Sequence, residues 1–140
     1  MEKGLRTFLL LIFILGLFGA GAELLLLEHT EDFRQWIPLV LLAISVIVLG
    51  WRGLSRGAMS LRVFQGTMLL FVISGCVGIF FHYQGNVEFE LEMYPTLAGW
   101  ELFAKAMQGA TPALAPGTMI QLGLLGWAYS YRHPALRKPI

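Results

Sequence analysis

The side chains of this 140-residue chain that can do chemistry are few, and most follow apolar runs. His29 comes after the first run, His82 ends the third, and Glu88, Glu90 and Glu92 occupy alternate positions in Val87 to Met93. Imidazole and carboxylate together can hold a divalent metal. If Val87 to Met93 is extended, the three carboxylates share one face at a spacing of about 7 Å. Two histidines from different helices can instead ligate haem axially. The signal is unspecific, because there is no HExxH, no CxxCH and no EF-hand spacing. The competing reading makes the histidines hydrogen-bonding groups at a membrane interface and the acids a solvated face.

Two further polar residues lie inside apolar runs. Glu23 is about one turn from the end of the first, where a carboxylate is costly and can serve as a proton carrier with a raised pKa. Its plainer role is to reach water or pair with Arg34. Gln121 lies in the last run, near the bilayer middle if that helix starts at Pro112, where an amide bonds across helices or contacts a substrate. Gly16 with Ala20, and Ser74 with Gly78, have the small-xxx-small spacing that permits close helix packing within the chain or with a partner.

These residues must be positioned by membrane helices. The chain is 56% hydrophobic and 14% charged, where a soluble domain carries roughly a quarter charged residues. Its lone cysteine, Cys76, sits in an apolar run, which excludes an internal disulfide and CxxC redox chemistry. A bilayer core needs about 20 residues of helix. The apolar runs predict an all-α membrane protein of four spans, at about 7–27, 34–51, 61–83 and 112–131, in a single membrane domain over 1–140. Residues 1–22 also fit a cleaved signal peptide, although apolarity resumes at once in Leu24 to Leu27. Thr30 is placed to cap the second helix.

Between spans three and four, about 84–111, the reading is an extracytoplasmic cap. Gly85-Asn86 signals a turn. Val87 to Met93 alternates with the period of a strand, and Tyr94-Pro95 ends it. Thr96 to Gln108 reads as a short interfacial helix with Leu97, Trp100, Ala104 and Met107 on its apolar side.

Charge tests this arrangement. With both termini on one side, that side holds Lys3, Arg6, Arg52, Arg56, Arg62, Arg132, Arg137 and Lys138, eight of the ten basic residues. The other holds Glu23, Glu28, Glu31, Asp32, Glu88, Glu90, Glu92 and Glu101, eight of the nine acids. Basic loops mark the cytoplasmic side. Both termini are therefore expected in the cytoplasm, in a bacterial-type inner membrane.

No phosphate-binding glycine loop, GxSxG elbow or aromatic-interleaved basic patch occurs, so nucleic-acid binding is not expected. The cytoplasmic loops are too short for a soluble catalytic domain. The leading expectation is a small non-enzymatic accessory or structural subunit of a membrane complex, partnered by lipid, other membrane subunits or itself. The alternative is an outer-face metal- or haem-binding protein with a redox or ion-handling role, using His29, His82, Glu88, Glu90 and Glu92. A small oligomeric transporter using Glu23 and Gln121 is the third.

Overall fold

The computed structural model describes residues 3–55 and 57–136. Arg56, Arg137 and Lys138 of the basic side, and Glu2, the one acid expected on that side, lie outside them. Helix α1 covers Lys3–Leu26, α2 Phe33–Ser55, α3 Ala58–Met93, α4 Gly99–Met107 and α5 Gly117–Ser130, followed by a 3-10 turn at Pro134–Leu136. No strand occurs among the described residues.

Three helices, α1, α2 and α3, are long and apolar enough to cross a membrane. Large apolar side chains stay exposed along each, including Phe8, Leu15, Ile47 and Phe80. A helix that is apolar all round needs a hydrocarbon environment or a protein interior, and this chain supplies little interior. It is a membrane protein.

The core lies where α1, α3 and α5 meet. Phe13, Leu17, Phe64, Met68, Phe71 and Leu122 fill it, with Leu41, Leu42 and Val48 of α2 alongside. Phe64 is the centre of an aromatic chain. Its ring meets Phe13 edge-on at 5.5 Å and Tyr129 edge-on at 5.7 Å between centroids, a favourable geometry for such rings.

Glycines let α5 lie against α3 at backbone contact. A Cβ on Gly123 would fall 2.7 Å from the Met68 carbonyl oxygen, and one on Gly75 would fall 2.9 Å from the Pro116 oxygen. Gly78 meets Pro116, and Gly16 of α1 meets Leu122. Small residues serve this purpose between membrane helices because apolar side chains gain nothing over lipid there. Ala20 packs on the core, and Ser74 is half-buried on α3.

The segment expected as an extended strand is helical. Val87 to Met93 is the last part of α3, whose 36 residues make a rod of about 54 Å. That exceeds a hydrocarbon core of about 30 Å, so one end projects well beyond it. The expected turn at Gly85-Asn86 is absent for a tertiary reason. Asn86 is 3% exposed, and its side chain is used by the cap. Nδ2 donates to the Ala106 and Thr111 carbonyls at 2.8 and 2.7 Å, and Oδ1 accepts from the Thr111 N–H at 3.1 Å. The alternating acids gave a period of two, but this latch holds a period of 3.6.

Helix α4 occurs where a short helix was expected. Ala106 is fully buried, while Trp100, on the expected apolar side, is 78% exposed. Helix α5 begins after Pro116, so its 14 residues extend about 21 Å. Pro112 to Pro116 wind as turns before it, with the Ala115 N–H bonded to the Pro112 carbonyl and the Gly117 N–H to the Leu114 carbonyl.

Candidate functional site

His29 is held by the end of α1. Glu28 takes a left-handed backbone conformation, φ 51°. Its N–H bonds to the Leu25 carbonyl and the His29 N–H to the Leu24 carbonyl. This is the double closure of a Schellman motif, which satisfies the last carbonyls of a helix. Thr30 does not cap α2. Its hydroxyl donates to the Glu28 carbonyl at 3.5 Å. Gln35 does the capping instead, its Oε1 accepting from the Glu31 and Asp32 N–H groups at 2.8 and 3.3 Å, the reach-back half of a capping box.

His82 comes from α3. Its Nδ1 lies 3.0 Å from the Pro112 carbonyl oxygen. A carbonyl only accepts, so Nδ1 carries the proton and Nε2 presents its lone pair. The His29 and His82 rings meet at 6.3 Å between centroids, tilted by 54°. Burial, then the neighbouring His82, lowers the His29 pKa from its ordinary 6.5. His29 is therefore neutral at pH 7, the form that can ligate a metal.

The carboxylates do not join the pair. On a helix with 100° between residues, Glu88 and Glu92 fall one turn apart and Glu90 faces nearly the other way. Glu88 begins about 9 Å along the axis from His82 and accepts a hydrogen bond from Gln84 Nε2 at 3.1 Å. Among the described residues, no three of His, Cys, Asp and Glu come close enough to hold a metal ion. The single shared face expected for the acids belonged to the strand, and it goes with it.

Glu23 is exposed on α1. Arg34, its expected partner, lies over the Phe81 ring at 4.4 Å. Gln121 is exposed on α5 and makes no hydrogen bond among the described residues. The inner face of α5 is taken by Met119, Leu122, Gly123 and Gly126, and position 121 falls outside that stripe. Polar bonds between these helices are made instead at Gln65, whose Nε2 donates to Ser130 Oγ and whose carbonyl accepts from Trp127 Nε1, both at 3.1 Å.

At the other end of the bundle, sequence reasoning missed a cluster. Arg52, Arg6 and His133 converge there from α2, α1 and the segment after α5. They read as separate parts of a basic face, and only the return of the chain beyond α5 brings them together. Comparison with protein-family models, with curated proteins and with solved structures finds no match to this chain.

Proposed function

We propose that this chain is a non-enzymatic accessory or structural subunit of a membrane complex. The observation that carries the reading is an unfilled apolar groove between α1 and α2. It has a volume of about 370 Å³ and is lined by Leu17, Gly21, Ala22, Leu42, Ala43 and Val46 among others. Small residues in such a groove suit the close approach of another apolar helix, because interfaces between membrane helices are built on them. Extraction in mild detergent followed by size analysis tests this. Co-elution with a second membrane protein, lost in Ala43→Phe while the variant stays folded, is the expected result. A stable, partner-free monomer would overturn it.

A second reading rests on the meeting of His29 and His82. With Nδ1 of His82 bonded to a carbonyl, its Nε2 is oriented as in many metal sites. Two imidazoles supply part of a coordination sphere, and water or a partner's groups would complete it. Metal analysis and an absorption spectrum of purified protein decide it. Stoichiometric metal or haem that disappears in His29→Ala and His82→Ala supports the reading; its absence from wild-type protein ends it. Glu23 and Gln121, both exposed and sharing no hydrogen bond among the described residues, give the transporter reading no support.

A further inference from the structure

Arg52 is a charged side chain buried to 9% exposure in the last turn of α2. Its Nη1 donates to the Gly57 carbonyl at 3.5 Å, and Nη2 lies 3.3 Å from His133 Nε2. Its Nε is buried with no partner. Arg6 is only half-buried but is also poorly partnered. Its Nη2 reaches the Tyr131 and Arg132 carbonyls only at 3.4 Å, and its Nε is buried and unpartnered. Good N–H···O bonds are about 2.7–3.2 Å, so both guanidinium groups have donors to spare.

No carboxylate among the described residues lies within ion-pair distance of either arginine. His133 offers no countercharge. Its Nδ1 accepts from the Ala135 N–H at 3.1 Å, while its Nε2 faces Arg52. Burial, then Arg52, then Arg6 lower its pKa to about 4, so the ring is neutral at pH 7. A buried charge without countercharge is costly. Arg52 is such a charge, and Arg6 adds a second positive charge acting on the same His133, so this end of the bundle favours an anion.

The surroundings indicate which kind. Arg52 borders a cavity of about 310 Å³ whose other walls are Leu10, Ile14, Leu49, Gly53 and Tyr129. The guanidinium fork suits phosphate oxygens, and the adjoining apolar wall suits an acyl chain. Basic pockets between membrane helices take anionic head groups by this combination. We propose that Arg6 and Arg52, with the wall of Leu10, Ile14 and Leu49, form a binding site for the phosphate of an anionic phospholipid.

Three probes test this on purified protein in non-ionic detergent: phosphatidylglycerol, phosphatidylcholine with the same acyl chains, and inorganic phosphate. Native mass spectrometry should show phosphatidylglycerol retained at least about tenfold more than phosphatidylcholine, the scale of one strong charge-assisted contact. Arg52→Gln should remove about tenfold of that preference. Arg62→Gln, an exposed position on the first turns of α3, should change it less than about twofold, as expected of screened surface charge. Equal retention of the two lipids, or equal weakening by Arg62→Gln, would overturn the site. Displacement of the lipid by millimolar phosphate would overturn the lipid assignment and leave a soluble anion as the ligand. If Arg52→Gln does not fold, wild-type protein still decides. Phosphatidylglycerol should raise the His133 pKa from about 4 by at least about one unit, since a nearby anion favours the charged ring. No rise would count against the site.

Discussion

Asn86 and Gly109 form a clasp that closes the cap on α3. The Asn86 amide occupies the space where a Cβ on Gly109 would sit, with Cγ 2.5 Å from that position. From there it bonds the backbone of Ala106 and Thr111 on either side. Asn86→Ala would leave the buried Ala106 carbonyl and the part-buried Thr111 groups without this partner, at about 1–3 kcal/mol for each one not reached by water. Gly109→Ala forces the amide out and should act similarly. Both variants should show a lower Tm and faster proteolysis within residues 94–116. An unchanged cleavage pattern would mean that the clasp does not hold the cap.

The clasp also explains what the sequence could and could not reveal. Apolar runs of spanning length announce α1, α2 and most of α3, because lipid exposure demands them over whole turns. Glu88, Glu90 and Glu92 mimic a strand because seven residues are too few for period alone to separate strand from helix. The deciding interaction, from Asn86 to Thr111, joins positions 25 residues apart. His29 and His82 were expected near one interface, and their rings do meet. The carboxylates were assigned to them by proximity in the chain, which a helix does not preserve. His133 carried no signal in its basic tail, since its neighbours Arg6 and Arg52 arrive from other helices.

The α3–α5 contact predicts opposite outcomes for two glycines. Gly123→Ala sets a methyl 2.7 Å from a backbone oxygen, which cannot rotate aside, so the helices must separate. Overpacking of this kind costs about 1–3 kcal/mol. Gly19→Ala on α1 meets nothing within 4 Å and should be neutral or slightly stabilising, because Ala is the better helix former. Unfolding in mixed detergent with a denaturing surfactant would rank the two. Equal losses would disprove the close approach at Gly123.

Two histidines predict a loss of stability in mild acid. His133 titrates near 4 in the folded protein against 6.5 unfolded. Between those values the unfolded chain binds a proton that the folded chain does not, so stability falls as pH drops from 6.5 and levels off below about 4. His29, lowered by burial and by His82, acts in the same direction. One proton contributes at most about 1.4 kcal/mol per pH unit, and partial exposure of the ring reduces that. Tm measured from pH 7 to 5.5, above the main carboxylate range, should decline in wild type. The decline should be shallower in His133→Gln and shallower still with His29→Gln added. A flat wild-type profile would exclude this coupling.

The two ends of the chain should lie on the same side of the membrane. Arg6 in the first turn of α1 reaches the carbonyls of Tyr131 and Arg132, just past α5. The first and last helices therefore begin and finish at one end of the bundle. Helices α1, α2 and α3 in turn carry the chain to the opposite end of the bundle, where His82 bonds Pro112. Residues 112–130 then return along α3. Helix α5 alone is about 21 Å long, but the turns from Pro112 extend the path. Cysteine labelling from either side of sealed vesicles, with single cysteines placed at position 4 and at position 135 in a Cys76→Ser background, should give the same sidedness. Opposite labelling of the two positions would show that α5 does not return across the bilayer and would contradict the contact between Arg6 and Tyr131.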